Sequence, residues 1–132
     1  MEIAIPSHPH YLSVVRAVTG QVSSVAGMSE KEADEVKLAV DEACANVMKH
    51  AYRGKTDKKI VVRFRISEDR FVVIIEDSGI KASPKDIKGR DLDDIRPGGL
   101  GIHLIKRAFD TMSFDGRKKR GNRLRLVRCR RG

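Results

Sequence analysis

Tryptophan is missing from this 132-residue sequence, which has only two tyrosines and four phenylalanines. So few rings offer no stacking platform for single-stranded nucleic acid. Cysteine is equally scarce. Cys44 and Cys129 are the only two, and neither belongs to a Cys-x-x-Cys pair of the zinc or thiol-redox type. Structural disulfides are not expected, and Cys44, set in an apolar helical face, reads as a small core residue. No apolar run approaches the roughly 20 residues that span a bilayer. Met1 to Pro6 lacks the basic start and long apolar run of a signal peptide. A soluble cytoplasmic protein without membrane attachment is therefore expected. Also missing are G-x-x-x-x-G-K-[ST] and a strand-linked G-x-G-x-x-G, so neither a Walker loop nor a dinucleotide fingerprint is present.

Acidic residues stop at Asp115. Residues 1–116 balance 18 basic against 18 acidic side chains, and the net charge of +9 comes from nine Lys and Arg between Arg117 and Arg131. The basicity belongs to one terminal hairpin, whose plain reading is a solvated strand face and tail. Nucleic acid is not an expected partner, although such a patch can attract phosphate or an acidic protein. The length and a hydrophobic content of 40 % suit one core, so residues 1–132 read as a single domain.

Glu2 to Ile5 alternates and stops at Pro6, which predicts a short strand. From His8 to about Val25, Leu12, Val15, Val18 or Thr19, Val22 and Val25 recur at helical spacing. Ser29 with Glu32 matches a capping box and opens a second helix expected to run to about Tyr52, where Gly54 ends it. Residues 60–66 and 71–75 are rich in β-branched side chains and predict an antiparallel hairpin. Residues 77–98 lose all periodicity, and about 80–98 read as a functional loop or lid. A third helix follows from Leu100, then strands at 111–114 and 122–129. The expected fold is α+β, a two-layer sandwich with helices on one face of a mixed, mostly antiparallel sheet.

Three short stretches can carry chemistry. Glu42, Asn46 and His50 stand at four-residue steps, on one side of a helix. An Asn46 carbonyl can complete the oxygen shell of Mg²⁺, and a carboxylate one turn away can accept a proton from a nucleophile. Asp77, at a strand end before Ser78-Gly79, can accept a hydrogen bond from an exocyclic amine, and Gly79 lets a ligand approach the backbone. Gly98-Gly99-Leu100-Gly101 leads into a helix, where amides and the helix dipole attract phosphate. Taken singly, each is also ordinary: a polar helix face, a turn, a flexible helix entry.

In this order, Asp41-Glu42-Ala43-Cys44-Ala45-Asn46, Glu76-Asp77-Ser78-Gly79 and Gly98-Gly99-Leu100-Gly101-Ile102 resemble the N, G1 and G2 boxes of one ATPase superfamily. Its members include DNA gyrase, heat-shock 90 chaperones, histidine kinases and mismatch-repair ATPases. Asn46 to Tyr52 and Gly121 to Leu126 look most like the bacterial anti-sigma factor serine kinases of partner-switching systems. The resemblance implies the same two-layer fold, ATP and Mg²⁺ as ligands, and phosphorylation of a serine on an anti-anti-sigma antagonist by a protein that sequesters a sigma factor. It makes Glu42 the general base, Asn46 the Mg²⁺ ligand and Asp77 the adenine-reading carboxylate. Lys49, His50, Gly79, Gly98, Gly99, Leu100 and Gly101 would complete the nucleotide site, and a homodimer would fit. Lys81 stands where the wider superfamily has a second glycine, a departure that bears on the lid. His103 has no assigned role beyond packing. None of the four histidines starts a His-Glu or His-Asp pair, unlike the phosphoacceptor of sensor kinases. The rival readings are a nucleotide-sensing module that transfers nothing and, last, a nucleic-acid binder.

Overall fold

The computed structural model describes residues 1–82 and 100–130. Five strands, β1 (Glu2–Pro6), β2 (Lys59–Ile66), β3 (Arg70–Asp77), β4 (Thr111–Phe114) and β5 (Asn122–Cys129), lie in the order β1-β2-β3-β5-β4. Every pairing among the described residues is antiparallel. The helices are α1 (Leu12–Val25), α2 (Glu30–Asn46) and α3 (Leu100–Ala108), with a short 3₁₀ turn at Pro9–Tyr11 ahead of α1.

Strand alternation decides which side of the sheet the helices cover. Ile60, Val62 and Phe64 of β2, Phe71, Val73 and Ile75 of β3, and Leu124 and Leu126 of β5 face one way. They share a single buried cluster with Val15 and Val22 of α1, Val36, Ala39, Val40, Ala43 and Cys44 of α2, and Ile105 and Ala108 of α3. On the opposite face Glu76 pairs with Arg63, with Arg123 at 3.0 Å and with Lys118 at 3.6 Å, beside a small apolar patch of Val72, Ile74 and Val127.

The start of α2 is held as its sequence requires. The Glu32 N–H donates to Ser29 Oγ at 3.2 Å, and Glu32 Oε1 accepts from the Ser29 N–H at 3.0 Å. Glu32 Oε2 also receives Arg128 from β5 at 2.8 Å, pinning the helix to the sheet. The Ser29 amide and the Arg128 guanidinium together pull the Glu32 carboxyl down to about 2.

Two expectations need correcting. Val25 is 80 % exposed, because the buried stripe of α1 runs Val15, Thr19, Val22, Ser23 and passes on to Ala26. The α-helical part of α2 stops at Asn46, and Val47–Ala51 form one π turn in which the Tyr52 N–H reaches back five residues to the Val47 carbonyl at 2.9 Å. The extra residue in that turn advances the exit of the helix.

Leu126 is fully buried at the centre of the cluster, whereas Leu38 is half exposed. Leu126→Ala is expected to cost about 2–5 kcal/mol of unfolding free energy in urea titration. Leu38→Ala should stay within about 0.5 kcal/mol of wild type. Equal losses would show that the helix-facing sheet surface does not carry the core.

Candidate functional site

A cavity of about 440 Å³ opens between the end of α2 and the β3, β5 and β4 strands. Ala43, Asn46 and Val47 line one wall, with Lys49, His50, Ala51 and Arg53 continuing past the π turn. Ile75 and Asp77 of β3, Leu124 and Asn122 of β5, and Met112 and Phe114 of β4 form the floor. Ile102 and Ile105 of α3 and the strap Ile80-Lys81-Ala82 complete it. The cavity wall is thus mostly apolar, with polar and charged side chains from the end of α2, β3, β5 and the strap among its lining. Small-molecule sites have that composition.

Asp77 is the buried charge among those polar groups, 3 % exposed. Its Oδ1 accepts from the Gly79 N–H at 2.9 Å and from Asn122 Nδ2 at 3.1 Å, and its Oδ2 lies 3.2 Å from the same nitrogen. Burial raises the carboxyl above its ordinary value, opposed by the Gly79 amide and by Asn122. Oδ1 meets two of these donors and Oδ2 one, so Oδ2 keeps the greater remaining capacity to accept.

The turn after Asp77 is anchored to the end of α2. The Tyr52 hydroxyl donates to the Lys59 carbonyl at 2.5 Å and accepts from the Ser78 N–H at 2.8 Å, and the Ile80 N–H reaches the Ala51 carbonyl at 2.8 Å. Gly79 is required by this contact. A Cβ there would sit 2.3 Å from the Ala51 carbonyl oxygen, so its lack of a side chain serves the packing of this turn on the π turn; Gly79 itself is not among the residues lining the cavity. Gly121 has the same duty on the other side. Its φ is +68°, and a Cβ would lie 2.0 Å from the Asp77 carbonyl oxygen, which is how close β5 must come for Asn122 to stand opposite Asp77 in register.

The structure brings together Asn46, Lys49, His50 and Asp77 on one cavity. Asn46 is half-buried and makes no side-chain hydrogen bond to another described residue, leaving its amide oxygen available to a cation. Glu42 is half-buried one turn nearer the helix start and is not in the cavity wall, so only Asn46 and His50 of that anticipated row line it. Gly98 and Gly99 lie outside the described residues, as does most of the anticipated lid; Leu100 and Gly101 open α3. His103 is half-buried on α3, away from the cavity wall.

Sequence reasoning missed Asn122, Tyr52 and Lys81. Lys81, in place of the superfamily's glycine, lines the cavity and donates to the Lys118 carbonyl at 2.7 Å. Gly121 was the signal that could have exposed Asn122, because a glycine opening a strand marks a close backbone approach.

Residues 5–128 match the model of the histidine kinase-like ATPase domain family. Serine-protein kinase RsbW of Bacillus pumilus is 34 % identical over 120 residues, covering 83 % of this chain and 74 % of the relative. The proteins of that name from Bacillus subtilis and Listeria monocytogenes are 33 % and 34 % identical, covering 83 % and 85 % of this chain and 74 % and 76 % of theirs. Among solved structures, the histidine kinase domain of a blue-light activated kinase from Erythrobacter litoralis superposes with a TM-score of 0.52 at 18 % identity. The alignment covers 92 % of this chain but only 60 % of that one, and it speaks for the fold.

A carboxyl whose folded-state value is raised holds its proton better in the native chain than in the unfolded one. Its contribution to stability therefore declines as pH rises from the ordinary carboxylate range through the raised value, and stays unfavourable above it. Asp77→Asn is accordingly expected to raise the urea midpoint near neutral pH while weakening nucleotide binding. A midpoint at or below wild type near neutrality would show that Asp77 is not a stored cost in the fold.

Proposed function

The chain belongs to the histidine kinase-like ATPase family, and from that membership we propose that it transfers the γ-phosphoryl group of ATP to a serine of a protein antagonist. The single observation that carries this reading is Asp77, a buried carboxylate on the wall of a mostly apolar cavity with room for a nucleobase, its Oδ2 met by fewer protein donors than its Oδ1. Such a group accepts a hydrogen bond from adenine's exocyclic amine, and the apolar walls take the ring. The relatives named serine-protein kinases support a protein serine as acceptor.

The available amide of Asn46 and the oxygen preference of the ion support Mg²⁺ as the accompanying cation. When bound, the cation supplies charge neutralisation on the phosphates. Lys49 and His50, exposed at the cavity mouth, are placed to meet phosphate oxygens. In this reading the amides of Gly98 and Gly99 and those of Leu100 and Gly101 in the first turn of α3 serve the phosphates. Glu42, one turn from Asn46, takes the proton of the attacking serine hydroxyl.

A sigma factor and an anti-anti-sigma antagonist as partners, a cytoplasmic setting and a homodimeric state belong to the same proposal, on the strength of the motifs around Asn46 and Gly121. No helix among the described residues is long and apolar enough to cross a membrane. The position of Glu42 outside the cavity wall favours one alternative, a module that senses ATP and ADP without transferring phosphate.

Glu42→Gln separates the two. Calorimetry with Mg-ATP should find binding retained, while mass spectrometry of a small antagonist protein should show transfer slowed about 10²–10⁴-fold. Undiminished transfer would remove Glu42 from the mechanism. Tight binding by wild type with no transfer at all would leave the sensing module.

A further inference from the structure

Asn122 is almost wholly buried, 8 % exposed, and every hydrogen on its amide is committed. Nδ2 donates to the Asp77 carboxylate and to the Ile80 carbonyl at 3.0 Å, and Oδ1 accepts from the Ala82 N–H at 2.7 Å. An asparagine amide has two N–H donors and one carbonyl acceptor, so no donor remains for a ligand. The orientation is also fixed. Turned over, the amide would set its oxygen against a carboxylate and abandon the Ala82 N–H. Asn122 therefore touches the cavity's chemistry through Asp77 and through the strap.

We propose that Asn122 is a positioning residue that sets base specificity, holding the Asp77 carboxylate as a pure acceptor toward a purine 6-amino group and tying it to the Ile80–Ala82 strap on the cavity wall. This rests on the nucleotide reading given above. Protein donors on a carboxylate favour its charged form, which repels a 6-oxo group, so adenine is taken and guanine refused. Without the Asn122 side chain, Asp77 loses its side-chain donor and keeps backbone N–H groups alone, and burial drives it toward the protonated form, whose O–H can donate to a 6-oxo group. Other ionisable groups face the cavity: Lys49, His50 and Arg53 past the end of α2 and Lys81 in the strap. Tyr52 is engaged with Lys59 and Ser78, and Lys118 of the β4–β5 connection favours the charged form of Asp77. His50 is the imidazole on the cavity wall, so each comparison is repeated in a His50→Gln background.

The test is calorimetry with Mg-ATP and Mg-GTP, from mildly alkaline to mildly acid pH, on wild type and Asn122→Leu. Wild type should prefer ATP by a ratio that hardly changes with pH. The variant should lose about 10-fold to 100-fold of that preference, with the larger loss on the acid side. A folded variant that keeps the wild-type ratio, or that weakens for both nucleotides equally, overturns the proposal and leaves the nucleotide reading standing. Wild type binding neither nucleotide sinks that reading itself. If the variant does not fold, hydrogen exchange on wild type decides: the Ala82 amide should be protected without nucleotide and more protected with Mg-ATP, and free exchange in both states overturns the tie.

Discussion

A carboxylate removed from water must be met by donors, and everything at this site follows from how Asp77 is met. No cation touches its oxygens among the described residues; a backbone N–H and one side-chain amide do. Those donors offset part of the cost of burying Asp77 without placing an opposite charge against it, so a charge there keeps its reach into the cavity. The two glycines, the Tyr52 hydroxyl and the β3–β5 register all exist at the distances needed to bring those donors in.

The residue before it makes the contrast plain. Glu76 and Asp77 are consecutive on β3, and the pleat sends them to opposite faces. Glu76 meets two arginines and a lysine and is consumed by them as a surface tie between three segments of chain. Exchanging the two environments would leave the helix side with a neutralised pair and no acceptor. The same side chain chemistry is structural on one face and available on the other, and the difference is whether the partners carry charge.

Much of the fold could be read directly from residue patterns. The 111–114 and 122–129 strands, the β2–β3 hairpin and the Ser29–Glu32 cap all obey local rules, and the structure keeps them. The π turn after Asn46 obeys none, because it answers to the packing of the Asp77 turn against Ala51, a contact between distant segments. For the same reason Gly79 was legible as an important glycine, while its packing against Ala51 was not. Of the candidate site, Asn46, Lys49, His50 and Asp77 converge as the motifs implied, whereas Asn122 was hidden. An asparagine at a strand start has no pattern of its own, and its partners sit 40–45 residues away in the chain.

The strand that supplies Asn122 is made late and lies between two strands made earlier, β3 and β4. During synthesis, β3 waits with one apolar edge open while more than 40 further residues emerge, and an open edge is a template for foreign strands. A chain that ends before residue 122 therefore keeps an adhesive edge and lacks the side-chain amide that meets Asp77. Completion of the sheet and the arrival of the Asn122 amide beside Asp77 are the same event, so the edge that stays exposed longest is the one that finishes the cavity floor.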